Sequence, residues 1–240
     1  VIFNYTGNVA WISYRKKGCN VMGQIQIYHV YQPLFTLNDL EIFGYEVLTR
    51  CDNFSDIEHL FQQAMENKTL YELDRTSIFK VLSTSGLSHK IFINIYPSTM
   101  LHPQFFTFLQ EVEQRTMVKD SIVFEINESE KIKDRRLFKN IVNRLKRRGY
   151  EIAVDDYGKG EATFDFITDI DPHYIKLDQS FSRNLTDSFP KQQQIRSLVE
   201  ICHERNMTLI LEGIENKSEL LVAAQLGVHV GQGYYLGKPK

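Results

Sequence analysis

Five short β-rich runs recur along the chain with helical stretches between them. They are Lys90-Ile-Phe-Ile-Asn94, Ser121-Ile-Val-Phe-Glu125, Glu151-Ile-Ala-Val-Asp155, His173-Tyr-Ile-Lys-Leu177 and Thr208-Leu-Ile-Leu-Glu212. Their apolar residues are mostly contiguous, as in strands covered on both faces. Phe54, Ile57, Leu60, Phe61 and Ala64, ahead of these runs, recur at helical spacing, as do Leu137, Phe138, Ile141, Val142 and Leu145 between two of them. Gly149 and Gly227 are placed to stop helices, Pro190 to open one, and Asn216 with Glu219 to cap another. Repeated β-then-α units predict a mainly parallel sheet. With this many units in 240 residues, closure into an α/β, TIM-like (β/α)8 barrel is favoured over an open sheet.

The strand ends carry the chemistry. Runs finish on Asn94, Glu125, Asp155-Asp156 and Glu212, and Glu46 closes an earlier run, Phe43-Gly-Tyr-Glu46. A lone Asp after a strand is ordinarily a helix N-cap. In a barrel, however, successive strand ends meet on one face, where active sites form. Carboxylates gathered there repel one another unless cations neutralise them, and oxygen-only ligands favour hard ions such as Mg²⁺ or Mn²⁺. No histidine follows the strand-end pattern, which argues against a zinc hydrolase. Lys176, inside a strand, either points inward among the acids or snorkels from an edge. Arg50 offers a planar fork for a phosphate or is a surface arginine.

Net charge is −2, and no long basic field is seen, so duplex nucleic acid is not an expected partner. No apolar run is long enough to span a membrane, and no membrane contact is expected. Cys19, Cys51 and Cys202 lack disulfide or zinc spacing and fit a reducing, cytoplasmic setting. The chain opens on Val1 and reads as a piece of a longer protein. Residues Ala10 to Asn20 read as a helix ending near Gly18, followed by a short strand from Val21 to Ile27.

These residues together resemble the EAL domain family. The signature segment is Tyr45-Glu46-Val47-Leu48-Thr49-Arg50, after Tyr31-Gln32-Pro33. It is followed in order by Phe92-Ile93-Asn94, Glu125-Ile-Asn-Glu128-Ser129, Asp155-Asp156-Tyr157-Gly158, Tyr174-Ile-Lys176-Leu-Asp178 and Glu212-Gly-Ile-Glu215. A final strand is matched by Gly231-Gln232-Gly233-Tyr234-Tyr235. The resemblance covers residues 28–240 and implies metal-dependent hydrolysis of cyclic di-GMP to linear pGpG, with two Mg²⁺ or Mn²⁺ ions. It implies Glu46, Asn94, Glu125, Asp155 and Asp156 as metal ligands, and Glu212 as ligand or proton acceptor. Lys176 would orient the attacking water, Arg50 would hold a phosphate and Gln232 would line the site. Glu128 and Glu215 would support the loop after Asp156, and that face would serve a homodimer.

Residues 1–27 resemble the C-terminal end of a GGDEF domain, implying such a domain upstream, or a linker. Two departures from the family pattern stand out. Val47 replaces the signature alanine, and Lys159 and Glu161 put opposite charges into the loop after Asp156. That loop points to slow or conditional turnover, and so to a competing reading as a cyclic di-GMP receptor that signals to a partner. An unrelated barrel enzyme using Mg²⁺ on another phosphate ester is a third reading.

Overall fold

The computed structural model describes residues 4–6, 9–15, 22–52, 56–83, 88–114, 121–127, 130–158 and 164–240, with side chains from residue 26 onward. The strands are β1 (Asn4–Thr6), β2 (Val9–Arg15), β3 (Met22–Thr36), β4 (Ile42–Cys51), β5 (Lys90–Ile95), β6 (Ile122–Ile126), β7 (Glu151–Tyr157), β8 (Tyr174–Leu177), β9 (Thr208–Leu211) and β10 (Val230–Gly231). Strands β4 to β10 run parallel in chain order, and β3 closes the ring by pairing antiparallel with both β4 and β10. Eight strands therefore form a closed, modified TIM-like barrel. The antiparallel closing strand needs no crossover helix, because a short turn joins it to β4.

The helices are α1 (Ile57–Glu66), α2 (Leu70–Ser83), α3 (Pro97–Met100), α4 (Phe105–Glu113), α5 (Arg135–Arg147), α6 (Phe164–Ile170), α7 (Phe189–Glu204) and α8 (Lys217–Gln225). The predicted punctuation is observed. Gly149, just past α5, has φ +91°, a left-handed conformation that costs glycine little. Asn216 caps α8 by accepting from the Glu219 N–H, while Glu219 Oε2 accepts from the Glu215 N–H. The reciprocal bond of this cap thus reaches one residue further back than a standard capping box. Phe54 lies outside the described residues, and α1 begins after its N-cap Asp56.

The expected N-terminal helix is corrected. Residues Val9–Arg15 form strand β2, paired antiparallel with β3 from Met22 to Ile27. The segment Val-Ala-Trp-Ile-Ser-Tyr-Arg is rich in β-branched and aromatic residues, which suit a strand once a partner edge is present. Residues 16–21 lie outside the described set. The expected short strand ending at Ile27 is the first part of β3, which continues unbroken to Thr36. The final strand is also shorter than expected, because β10 stops at Gly231 and Gly233–Leu236 turn back toward Pro33.

Two large apolar clusters lie between barrel wall and helices. The lumen holds a third, made of Leu34, Phe92, Val123, Ala153, Tyr174, Ile210 and Val230, with Phe43 against it. Each of the eight strands gives one residue to this plug. Removing such a side chain from water contributes about 1.5–3 kcal/mol for the larger ones. Among the described residues no helix is long and apolar enough to cross a membrane.

Candidate active site

Side chains alternate along a strand, so the residue two places beyond each plug residue also faces the lumen. Two places beyond Phe92, Val123, Ala153, Tyr174, Ile210 and Val230 stand Asn94, Glu125, Asp155, Lys176, Glu212 and Gln232. On antiparallel β3 the count runs backward, from Leu34 to Gln32, whose register partner on β4 is Glu46. The apolar floor thus carries a single polar layer at the C-terminal mouth of the barrel. Strand periodicity alone places seven of its eight members.

Lys176 is the hub of this layer. Its Nζ lies 2.5 Å from Glu125 Oε1, 2.6 Å from Glu212 Oε1, 3.2 Å from Asp155 Oδ1 and 3.5 Å from Glu46 Oε2. The side chain points inward and does not snorkel. Burial works against its charge, but the carboxylates outweigh burial and hold the ammonium well above its ordinary pKa. Burial drives Glu125 well above the usual carboxylate range against the pull of Lys176, with Asp155, Glu46 and Glu212 adding to the rise. Glu212 is pushed up to about 8 by burial, again against Lys176.

Glu46 is fixed by amides. Gln232 Nε2 donates to its Oε2 at 2.6 Å, and Asn94 Nδ2 donates to its Oε1 at 3.4 Å. Gln232 is held in turn by backbone. A Cβ on Gly233 would lie 2.2 Å from Ile214 O and 2.3 Å from Ile214 N, so only glycine lets the turn close against the loop after Glu212. Asp155 and Asp156 occupy a bulge where β7 loses register with β8 between Val154 and Tyr157. Asp156 takes φ +50°, which re-aims its carboxylate toward the mouth at a modest backbone cost.

Two carboxylate triads result. Glu46, Glu125 and Glu212 form one, and Asp155, Asp156 and Glu212 the other. Within each, one oxygen per residue lies within 4.8 Å of the others, and Glu212 is shared. Glu125 Oε2 is buried without a hydrogen bond. Asp155 Oδ1 and Glu212 Oε1 are buried against Lys176 Nζ, at 3.2 and 2.6 Å. Four carboxylates around one lysine, a fifth from Asp156 beside them and an unsatisfied buried oxygen on Glu125 fit hard cations bound through oxygen. This donor set can hold metal.

Recesses open on both sides of Glu46. One, of about 210 Å³, is lined by Arg50, Tyr96, Asp74 and Asn127. The other, of about 230 Å³, is lined by Gln32, Gln179, Glu215, Gln232 and Tyr234. Arg50 ends β4 with Nη1 donating to Thr49 O. Glu215 is exposed and belongs to the second recess. Glu128 and the loop from Lys159 to Thr163 lie outside the described residues. Sequence reasoning did not assign Gln32, Gln179, Asp74 or Tyr234 to the site. Gln32 was within reach, since it faces Glu46 across the β3–β4 ladder and precedes the noted Pro33.

The EAL domain family profile matches residues 21–239. The chain is 29% identical over 229 residues to the cyclic di-GMP phosphodiesterase PA2567 of Pseudomonas aeruginosa, covering 88% of this chain and 38% of that protein. It is 23% identical over 191 residues to the cyclic di-GMP phosphodiesterase PdeF of Escherichia coli, covering 79% of this chain and 25% of the relative. The chain therefore spans only a quarter to two fifths of these curated relatives. Among solved structures, a standalone versatile EAL protein from Vibrio cholerae O395, in its c-di-GMP bound form, superposes with a TM-score of 0.80. It is 27% identical and covers 89% of this chain and 92% of that one.

Proposed function

The chain belongs to the EAL domain family, and from that premise we propose that it hydrolyses cyclic di-GMP to linear pGpG with two Mg²⁺ or Mn²⁺ ions. The observation that carries this reading is the pair of carboxylate triads sharing Glu212 around buried Lys176. Glu46, Asn94, Glu125 and Glu212 would hold one ion, and Asp155, Asp156 and Glu212 the other. Such ions, when bound, supply an activated water and stabilise charge on the attacking and leaving oxygens.

The chain's own residues do the rest. The Gln232 and Asn94 amides fix the Glu46 carboxylate, so its ligand oxygens are placed before anything binds. Lys176 carries a permanent positive charge in the floor of the site, within reach of a water lying between the triads. Arg50, at the rim of the first recess, presents its fork to a substrate phosphate. Recesses on either side of Glu46, one mainly apolar and one mainly polar, suit a dinucleotide with a base to either side. Glu212 serves as ligand or as acceptor of the water proton.

A receptor that only binds cyclic di-GMP would need few of these residues, so the complete ring favours the enzyme. Self-association through the face beside Tyr157, Phe181 and Pro190, next to the loop after Asp156, belongs to the same proposal. So does an upstream GGDEF domain in a longer cytoplasmic protein.

The test is to incubate the purified chain with cyclic di-GMP and each ion in turn and to separate the products. Linear product should form with Mg²⁺ or Mn²⁺ and not with Ca²⁺, which binds in looser geometry. Binding of cyclic di-GMP without product under every ion would establish the receptor reading instead.

A further inference from the structure

Helix α5 reads Arg-Arg-Leu-Phe-Lys-Asn-Ile-Val-Asn-Arg-Leu-Lys-Arg, with six cations and no acid. The whole chain carries −2. Subtracting +6 for this helix leaves −8 on the remainder, so the domain is strongly polarised. Phe138, Val142 and Leu145 face the core, and the opposite face carries Arg136, Asn140, Asn143 and Arg147, all exposed.

The cations fall into two sets. Those beside neighbouring helices are matched: Lys139 with Asp169, Lys146 with Asp171, and Arg148, just past the helix, with Glu113. Arg135, Arg136 and Arg147 have no carboxylate partner among the described residues, and Arg144 lies over the Phe106 ring at 3.6 Å. Arg135 and Arg136 occupy the first turn, where the helix dipole disfavours cations, and the N-cap carboxylate of Asp134 beside them accepts from the Leu137 N–H. Their position gains nothing from the helix dipole, and an external anion would favour it. Leu137, 47% exposed, sits at the edge of the same face, one heptad before Arg144.

We propose that this face of α5 docks the domain on an anionic lipid bilayer surface. Arg136, Arg144 and Arg147 would meet lipid phosphates, and Leu137 would enter the boundary between headgroups and acyl chains. A nucleic-acid backbone would also satisfy the arginines, but it gives exposed Leu137 no apolar environment. Barrel helices line the outer wall, so a bilayer lying against α5 leaves the catalytic mouth open. The inference departs from two readings of the sequence, that no basic field exists and that no membrane contact occurs. The cations are spread along the chain and converge only once the helix forms.

The experiment is co-sedimentation of the 240-residue chain with phosphatidylglycerol-containing vesicles, with pure phosphatidylcholine vesicles and with single-stranded RNA, at low and high salt. The wild type should bind the anionic vesicles, not the neutral ones, and lose binding at high salt. Each arginine neutralised should lower partitioning about fivefold, so Arg136→Gln/Arg144→Gln/Arg147→Gln should lower it about a hundredfold. Glutamine keeps helix propensity, and a thermal melt checks the fold. Leu137→Ser should weaken vesicle binding with the charges intact. No binding to anionic vesicles, or equal binding by the triple variant, overturns the proposal. So does RNA binding that exceeds vesicle binding and is untouched by Leu137→Ser, which would make the face a nucleic-acid surface.

Discussion

Lys176 Nζ lies 2.5 Å from Glu125 Oε1, and the two side chains are 1% and 0% exposed. A sealed ion pair of this kind is costly to break from one side, because the surviving charge is left buried without a partner. Lys176→Ala should abolish turnover and also lower stability in chelator by roughly 3 kcal/mol. Mn²⁺ should restore much of that stability, since cations would replace the lost charge. Urea unfolding with and without Mn²⁺ reads both effects. A metal-independent stability in this variant equal to wild type would remove Lys176 from the electrostatic centre.

Glu212 belongs to both carboxylate triads, so it should matter more to metal binding than any residue in only one. At a hundredfold excess over Kd, a bound ion stabilises by about 2.7 kcal/mol. For a domain of this size that corresponds to roughly 5–10 °C in Tm. Thermal melts should show this rise for wild type on adding Mn²⁺. The rise should be reduced in Asp156→Asn and nearly lost in Glu212→Gln. Equal shifts in the two variants would mean that the triads do not share a ligand.

Two buried groups outside the ring should impose opposed pH dependences. His29, its Nε2 2.9 Å from Ser77 Oγ, is lowered from 6.5 to about 4 by burial and by Lys80. The unfolded chain takes up that proton first as pH falls. His29 therefore adds stability above about pH 6.5 that is lost toward pH 4. Asp74, accepting from the Tyr96 N–H, is raised from 3.8 to about 7 by burial. Its contribution is complete below 3.8 and is lost as pH rises through 7. Each amounts to roughly 3–4 kcal/mol, so these two contributions largely cancel in the wild type, against which each variant is read. Asp74→Asn should unmask stability that rises with pH, and His29→Gln stability that falls. Denaturation midpoints across that range test both signs.

Gly233→Ala should be disproportionately harmful for one methyl group. The added Cβ meets the Ile214 backbone, which cannot swing away as a side chain would. Displacing the turn would pull Gln232 off Glu46. The expected result is a loss of roughly 2 kcal/mol or more, together with a weaker Mn²⁺ response in thermal melts. Full retention of both would show that the turn has slack.

Much of the site was legible because contiguous apolar runs ended on Asn94, Glu125, Asp155 and Glu212, and one strand face leads to one layer. The inward direction of Lys176 was not legible from its run alone. Only the floor residue Tyr174, two places earlier, fixes its side. Closure by an antiparallel strand was also hidden. Nothing local in residues 22–36 says that both edges of β3 will be paired. Gln179, Asp74 and Tyr234 reach the site through loops and a helix whose placement is tertiary. The N-terminal segment misled because the β3 edge supplies a ladder that its local sequence does not announce. In α5 the alternation of cations with apolar residues was visible, but its unmatched outer face appears only after neighbouring acids are assigned.

Two cations held in two triads joined by Glu212 are expected to act on cyclic di-GMP. Anomalous scattering from crystals grown with Mn²⁺ and cyclic di-GMP measures this most directly. Two manganese peaks about 3.5–4 Å apart are expected, one against Glu46, Glu125 and Glu212 and one against Asp155, Asp156 and Glu212, with a ligand phosphate between them and Arg50. Cyclic di-GMP bound at the mouth with no manganese in either triad, or manganese bound away from Glu212, would contradict it.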